Sequence, residues 1–447
     1  MTRKLQYQYS KKELRKLIHC FDEDVGKVSE DFPDEVELWD ETLRDGEQTP
    51  GISLRSQDKI EIGKKLNQIG VAKFAAGFPA VSAQELESVK KIKALDFEDT
   101  TVLGIARPKE SDIDACLQCD LDEIVLFMPI SDLMMKLLHE TPESELEKIE
   151  RAFLYAKEHG LRFNWVSEDC TRARPEHIID VFKLAMIHSA ESLIIGDTVG
   201  VLQPHTTTHL MNLIKKKLNW TKDKIPIGIH THNDFGLAVS NTLVAVYNGA
   251  TLPHVCVNGY GERAGNAAFE EVVVNLERMD INTGIDLEQI MELSKLTEEK
   301  FKLPVSSHKA IVGDNAFSHE SGLHINAIIA HPMSYEPINP SKVGQTRRLY
   351  LGKFSGSGSI VNALKTKLKT SDINLPDNVI KKIVTDVKKK GEERSKTDKK
   401  EIYDKLMKLK EGLREGISDT EFFNIVEKHA SEYLKGTWAN PSKDIKE

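Results

Sequence analysis

Short apolar runs rich in β-branched residues alternate with longer stretches of helical periodicity between Val36 and Arg263. There are eight such runs, and after each one apolar residues recur every three to four positions. The runs read VELWDET, KFAAGF, TTVLGIA, EIVLFMP, RFNWVSED, SLIIGD, IPIGIHTH and HVCVNGYG. Strands that alternate with helices form parallel sheets, and eight β/α units are the number that closes a barrel. The pattern therefore predicts an α/β fold with a (β/α)8 TIM barrel.

Two of the helices between these runs have clear ends. RSQDKIEIGKKLNQIG stops at Gly70, and SELEKIERAFLYAKEHG stops at Gly160. Glycine is the residue that most readily adopts the left-handed conformation at a helix end. We expect both helices to end there.

The pattern changes on both sides of the barrel. We expect a charged N-terminal arm over residues 1–30 and the catalytic barrel over residues 31–303. Residues 304–356 are rich in Gly, Pro, His and Ser with little periodicity, which favours a lid or linker subdomain. Residues 357–447 are helical in pattern and rich in lysine, which predicts a small helical C-terminal subdomain with solvated faces; an anion-binding surface is the less favoured reading.

Composition narrows the functional class. The chain has 447 residues, 40% hydrophobic and 29% charged, so it can bury a large core. Its net charge of -9 and pI near 6.0 argue against nucleic acid as the partner. No apolar run approaches the roughly 18 residues of a membrane span, and the first residues are polar, so we expect a cytoplasmic protein without membrane contact. The odd count of five cysteines predicts reduced thiols, and Cys116 with Cys119 an ordinary pair on one helix face.

Several of the predicted strands end in polar or ionisable residues. In a barrel these carboxyl-terminal ends meet at one mouth. His230 and His232 are two apart on the seventh run, so both imidazoles point to the same side and can bind one metal ion. Asp45, after the first run, adds a carboxylate. Two histidines and one carboxylate leave positions open for a substrate.

Two further segments add candidate residues at that mouth. Arg44 precedes Asp45 and Gly46, and a guanidinium there would stabilise a developing oxyanion. NGYGERAGNAAFEE follows the eighth run; its glycines permit tight turns, and Asn266 offers an oxygen ligand. A phosphate loop is excluded, because no G-K-[ST] follows.

Seven segments together resemble a known family. They read DETLRDGEQTPG, GFPAVS, SEDCTRA, GDTVGVLQP, HTHNDFGLAVSNTL, NGYGERAGNAAFEE and GDNAFSHESGLH. In this order they are similar to the Claisen-condensing acyltransferases, which include homocitrate synthase, 2-isopropylmalate synthase and citramalate synthase. The resemblance runs from about Leu38 to about Gly356.

The resemblance implies a role for each matching residue. It implies that Arg44 polarises the keto oxygen of a 2-oxo acid and that Arg107 and Thr198 help to bind this substrate. Glu168 and His324 match positions used in proton transfer, with His324 on the lid. The implied ligands of a divalent metal ion, which would be magnesium, manganese or zinc, are Asp45, His230, His232 and Asn266.

The implied reaction joins acetyl-CoA to a 2-oxo acid and ends in thioester hydrolysis. In this family the lid often comes from a second subunit, which implies a homodimer with exchanged lids. FMPISDLMM and INAIIAHPMSYEP are more similar to homocitrate synthases, so we expect 2-oxoglutarate as the acceptor. 2-Isopropylmalate synthase with 2-oxoisovalerate, or citramalate synthase, is the alternative.

Three positions depart from the family pattern. Ala75 stands where glutamate is usual, Phe354 where histidine is more frequent, and Asn326 where many members have aspartate. Two other classes therefore stay open. One is a lyase of the 3-hydroxy-3-methylglutaryl-CoA type, with a similar Arg-Asp and His-x-His set. The other is a binding protein that has lost activity.

Overall fold

A computed structural model describes residues 18, 21, 31–221, 224–370, 373–394, 398–412 and 418–430. Apart from residues 18 and 21, the expected N-terminal arm lies outside this part of the chain. The same holds for residues 431–447 of the expected C-terminal subdomain.

Eight parallel strands form a closed barrel, as the sequence predicts. The strands follow one another around the barrel in chain order, and β1 pairs with both β2 and β8. The strands are β1 (Trp39–Asp40), β2 (Lys73–Gly77), β3 (Thr101–Ala106), β4 (Glu123–Pro129), β5 (Arg162–Glu168), β6 (Leu193–Asp197), β7 (Ile227–Thr231) and β8 (Leu252–Val255).

Helices follow the strands and cover the outside of the barrel. They are α1 (Ser56–Ile69), α2 (Ala83–Lys93), α3 (Glu110–Leu117), α4 (Asp132–Leu137), α5 (Pro142–Glu158), α6 (Pro175–Ile187), α7 (Pro204–Leu218), α8 (Ala238–Tyr247), α9 (Phe269–Arg278) and α10 (Ile290–Phe301). Gly70 follows α1 with a φ of +97°, and Gly160 follows α5 with a φ of +78°. Both predicted helix ends are confirmed.

The eighth strand is shorter than predicted. It ends at Val255, whereas the apolar run continues through Val257. The main-chain N–H of Cys256 donates to Ala267 O at 3.0 Å, and Asn258 has a φ of +61°. The chain therefore leaves β8 after Val255 and pairs with the segment before α9. The alternation of apolar and polar residues does not distinguish such a turn from a strand.

Two apolar layers hold the barrel together. The main core lies between the strands and the surrounding helices, and a small cluster fills the barrel interior. Trp39 is fully buried in this interior cluster, beside Ala75 and Leu103. The interior is thus packed, and the open space lies above it at the mouth.

The chain after the barrel forms short elements and then helices. The strands β9 (Ser318–His319) and β10 (Arg348–Leu349) pair in parallel around α11 (Gly322–Ala330), and the later helices are α12 (Ser357–Leu368), α13 (Asp377–Arg394), α14 (Asp398–Gly412) and α15 (Asp419–Ala430). Lys309 lies 2.6 Å from Glu271 and 3.3 Å from Glu270, which ties this segment to the barrel. The expected helical region is present. A lid function for residues 304–356 stays a prediction.

Cys116 and Cys119 are both buried, free thiols at the end of α3. Burial raises the pKa of Cys119 to about 11, so it stays protonated at neutral pH. This agrees with an ordinary packing role. None of the helices in the described ranges has both the length and the apolar composition that a bilayer crossing requires.

Candidate active site

A tight turn after β1 fixes Arg44 and Asp45 at the mouth of the barrel. The main-chain N–H groups of Arg44 and Gly46 donate to the carbonyl oxygen of Glu41, at 3.1 and 3.0 Å. The N–H of Glu41 donates to Val255 O of β8 at 2.8 Å. The turn is therefore anchored to the closing strand, so its two side chains have defined positions.

His230, on β7, and His232, just after it, face the same carboxylate. Their Nε2 atoms are 3.3 Å apart, and they lie 4.0 and 3.9 Å from Oδ2 of Asp45. All three side chains are buried. The three ligand atoms all lie within 4.8 Å of one another, which is close enough for one metal ion to bind all of them.

This triangle has the size that a divalent ion requires. A point equidistant from three atoms at these separations lies about 2.2 Å from each of them, close to the ~2.0–2.2 Å of zinc or magnesium bonds to N and O. The side-chain amide of Asn266 donates to Asp45 Oδ2, while its carbonyl oxygen is buried with no hydrogen-bond partner among the described atoms. Asn266 thus has a buried oxygen without a hydrogen bond next to Asp45, and its role as a fourth ligand stays a prediction. The set fits a divalent ion.

The charge states of these groups also suit an ion. Burial and the neighbouring His232 hold the pKa of His230 well below its ordinary value, and burial lowers the pKa of His232 as well. Neutral imidazole is the form that binds metals. Burial would raise the pKa of Asp45, but Arg44 and the two histidines outweigh it, and the pKa falls. Asp45, His230 and His232 are thus already in the protonation states that bind a metal ion.

A cavity of about 250 Å³ opens beside these residues. On one side its wall is polar and includes Arg44, Asp45, Glu168, Thr198, His230, His232, Glu262 and Arg263. Inward-facing residues of β3, β4 and β5, together with a residue just after β2, form the other side. They are Phe78, Ile105, Val125, Phe127 and Val166.

Glu168 and Thr198 reach this cavity from the ends of β5 and β6. Glu168 is half-buried, and this burial raises the pKa of its carboxyl, although Arg44 opposes the shift. The Thr198 hydroxyl accepts a hydrogen bond from the N–H of Asp169 at 2.7 Å, so its own proton is free to donate into the cavity.

Two predicted residues lie elsewhere. Arg107 pairs with Asp112, five residues further on, through Nε at 2.6 Å and Nη2 at 3.1 Å, and its guanidinium lies over the Phe78 ring at 5.4 Å. His324 lies on α11, where its ring stacks on Tyr335 with centroids 3.9 Å apart. Neither lines the cavity of this chain, and their roles stay predictions.

Two residues at these places were not predicted from the sequence. Glu41 borders the cavity and accepts a hydrogen bond from Arg44 Nε at 2.6 Å; its spacing of three from Arg44 was the available signal. Tyr335 is the ring partner of His324, which no spacing rule indicates.

The three departures from the family pattern lie in different surroundings. Extending the β1–β2 register past Asp40 and Phe74 puts Ala75 level with Glu41. On β2 this chain therefore lacks the glutamate that is usual in the family. At the same level, just after β1, it has the carboxylate of Glu41. Asn326 and Phe354 are exposed in the segment after the barrel.

Two family models match the chain. The HMGL-like model covers residues 35–297, and the model described as homocitrate synthase post-HMGL domain-like covers residues 311–395. The first match spans the barrel. The second spans the segment after it and the helices α12 and α13.

Relatives named for different reactions match this chain at similar sequence identity. A probable 2-isopropylmalate synthase of Ignicoccus hospitalis is 42% identical over 88% of this chain and 97% of its own length. Homocitrate synthase AksA of Methanothermobacter thermautotrophicus is 38% identical over 85% of this chain and 95% of its own length. The solved structure of the HMG-CoA lyase of Bacillus subtilis is similar at a TM-score of 0.56, with 22% identity over 62% of this chain and 97% of the other, which shows the shared fold alone.

Proposed function

The chain belongs to the HMGL-like family, and from that premise we propose that it is an acyltransferase that condenses acetyl-CoA with a 2-oxo acid. The observation that carries the proposal is the meeting of Arg44 with Asp45, His230 and His232 at one cavity. A guanidinium beside three metal ligands suits a 2-oxo acid. The keto oxygen and the neighbouring carboxylate oxygens of such an acid carry or develop negative charge, and three protein ligands leave coordination positions for them.

Asp45, His230, His232 and Asn266 would hold the divalent ion. When bound, the ion supplies Lewis acidity toward the keto and carboxylate oxygens of the acceptor. Arg44 donates to the keto oxygen as it gains negative charge, and Thr198 donates to the acceptor carboxylate. We assign removal of the acetyl methyl proton to His324 together with Glu168, which already borders the cavity.

The walls of the cavity support an acceptor with an uncharged side chain. The lining contributed by β3, β4 and Val166 of β5 is apolar, with Phe78 and Phe127 in edge contact at 5.9 Å. Arg263 also lines the cavity, but its guanidinium is already paired, with Nε 2.8 Å from Oδ1 of Asp234 and Nη2 donating to the carbonyl oxygen of Thr198. A distal carboxylate, such as that of 2-oxoglutarate, would be buried there beside Ile105 and Val166 without a cation of its own, because Arg263 already pairs with Asp234. Burying an unpaired carboxylate costs several kcal/mol. The geometry therefore favours a short or branched apolar 2-oxo acid over the 2-oxoglutarate expected from the sequence.

A CoA-release assay with a panel of 2-oxo acids tests both the condensation reaction and the preference for an apolar acceptor. We expect pyruvate or 2-oxoisovalerate to exceed 2-oxoglutarate in kcat/KM by at least about tenfold. Preference for 2-oxoglutarate would refute the apolar acceptor and favour homocitrate synthesis. Cleavage of 3-hydroxy-3-methylglutaryl-CoA without any 2-oxo acid would refute the condensation itself.

A pair of variants tests the metal site. Asp45→Asn should abolish both CoA release and retention of the divalent ion, as measured by elemental analysis. The matched control is Asp132→Asn, which removes a carboxylate of an exposed ion pair with Arg174. It should change neither. Equal activity of the two variants would refute the assignment of Asp45.

Apolar side chains around the mouth support a lid from a second copy of the chain. Each lies four residues beyond the end of a strand and is exposed: Val81, Leu133, Val201 and Phe235. The segment after the barrel also exposes apolar side chains, which include Leu323, Met333, Tyr350 and Phe354. If the barrel mouth of one subunit packs against this segment of the other, both apolar surfaces become buried. The same contact would bring His324 to the cavity of the partner subunit.

Mixing two inactive variants tests lid exchange. Asp45→Asn damages the barrel site, and His324→Ala damages the lid. If lids are exchanged, a mixed dimer has one intact site, and random mixing restores about a quarter of wild-type activity. If each lid serves its own barrel, the mixture stays inactive, and the exchange proposal fails.

A further inference from the structure

Glu41 is a buried carboxylate at the edge of the active-site cavity. It lies directly after β1 and has only 1% of its surface exposed. A carboxylate in such a place is costly unless a cation pairs with it. The Nε of Arg44 donates to its Oε2 at 2.6 Å and provides that cation.

The guanidinium of Arg44 is fixed at two of its nitrogens. Nε is held by Glu41, and Nη1 lies 3.2 Å from Oδ1 of Asp45. No hydrogen bond among the described residues uses Nη2, and Arg44 borders the cavity. Because the guanidinium is planar, two fixed nitrogens define the direction of the third. The free edge of Arg44 is thus the one available to a substrate oxygen.

The framework around Glu41 is itself rigid. Its main-chain N–H and carbonyl both take part in the anchored turn after β1. Its second carboxylate oxygen lies 3.4 Å from Nδ1 of His254, and the His254 ring stacks on Trp39 with centroids 4.3 Å apart. All three side chains are buried, so Glu41 has little freedom to follow a moving arginine.

We propose that Glu41 is a positioning residue that shares Arg44 with Asp45 and holds the free edge of its guanidinium ready for the acceptor; this rests on the proposed function above. Without the Glu41 carboxylate, Asp45 is the nearest acidic partner of the guanidinium. Arg44, which already contacts Asp45 through Nη1, then turns further toward it, and Asp45 must serve both as a metal ligand and as the main partner of the guanidinium. Glu41 thereby keeps Asp45 available as a ligand and Arg44 available as a donor.

A double-mutant cycle tests this. Glu41→Gln keeps the shape of the side chain and removes its charge, and it is made in the wild type and in Arg44→Lys. The matched control is Glu145→Gln, a buried carboxylate on α5 that pairs with His177 of α6 in the outer layer. CoA release is measured together with the affinity for the 2-oxo acid and for Mn²⁺ by calorimetry, and with the denaturation midpoint.

We expect Glu41→Gln to lower kcat by about 10- to 100-fold and to weaken the calorimetric affinity for the 2-oxo acid. In the Arg44→Lys background the same change should cost less than about threefold, because the arginine it positions is gone. Glu145→Gln should lower the denaturation midpoint and leave kcat within about twofold.

Three results overturn the role of Glu41. They are undiminished kcat in Glu41→Gln, an equal loss in both backgrounds, and a loss matched by Glu145→Gln. Failure of the proposed function looks different, since the wild type itself would then release no CoA with any 2-oxo acid. A test of the positioning role thus cannot be confused with a test of the reaction.

Discussion

Replacing Gly261 with alanine is expected to disturb the metal site without changing any ligand. Gly261 has a φ of +151°, which L-residues rarely adopt. A new Cβ would overlap the Nδ2 of Asn266 and lie 3.1 Å from its Cγ and 3.0 Å from Oδ2 of Asp45. The Nδ2 atom lies 2.0 Å from the added Cβ. Ordinary carbon contacts are about 3.5–4.0 Å, so the amide must shift by at least about 1.5 Å.

The size of the effect follows from this shift. Displacing a catalytic group by about 1 Å lowers rates by about 100-fold, and the strained backbone costs about 1–3 kcal/mol. We therefore expect kcat/KM to fall at least about 100-fold and the affinity for Mn²⁺ to fall with it. Steady-state kinetics, calorimetric metal titration and denaturant unfolding measure the three quantities.

Gly236→Ala is the matched control. Gly236 has a φ of +74° in the loop after β7, and no atom lies within 4 Å of its added Cβ. It carries backbone strain without the collision, so it should lose stability and keep its metal affinity. If Gly261→Ala kept metal affinity and kcat/KM within about threefold of the wild type, the placement of Asn266 beside Asp45 would not matter, and the reasoning would be wrong.

Three further predictions concern single buried side chains. Burial raises the pKa of Asp40 from 3.8 to about 7, so the folded state binds a proton that the unfolded state lacks; relative to Asp40→Asn, wild-type stability should rise by up to about 1.4 kcal/mol per pH unit as the pH falls from 7 toward 4, measured by urea unfolding. Lys59 is fully buried, with Glu47 and Glu85 each at 2.6 Å, so Lys59→Met should cost about 3–5 kcal/mol in the same assay. Phe127→Ala should raise kcat/KM for larger 2-oxo acids relative to smaller ones by about tenfold in the CoA-release assay, since it enlarges the apolar wall. The first prediction is contradicted if Asp40→Asn has the same pH dependence of stability as the wild type. The second is contradicted if Lys59→Met loses less than about 1 kcal/mol, and the third if Phe127→Ala leaves the ranking of acceptors unchanged.

The fold was predictable because its signals are local and repeated. EIVLFMP forms β4 without any change of boundary, and the glycines after α1 and α5 end those helices as expected. The eighth strand was not fully predictable. Its apolar run continues into a turn that depends on a hydrogen bond from Cys256 to Ala267, and Ala267 lies on the other side of the glycine-containing loop that follows β8.

The candidate metal ligands could be identified for a similar reason. His230 and His232 share a side because their spacing is two on a strand, and barrel closure brings Asp45 to them. Arg107 shows what this reasoning leaves open. The family resemblance implied a substrate contact at the end of β3; its guanidinium pairs with Asp112 at the start of α3, and its role in substrate binding stays a prediction.

The sequence by itself determined the eight β/α units and the residues at the strand ends, because each follows from spacing along one segment. The family was indicated by the resemblance of seven segments taken in order. The tertiary structure alone decided which side chains meet. The pairing of Glu41 with Arg44, the apolar wall built by neighbouring strands and the position of His324 away from this cavity depend on how the strands align and which way each side chain points. Such contacts are set by packing between distant segments, which no local pattern encodes.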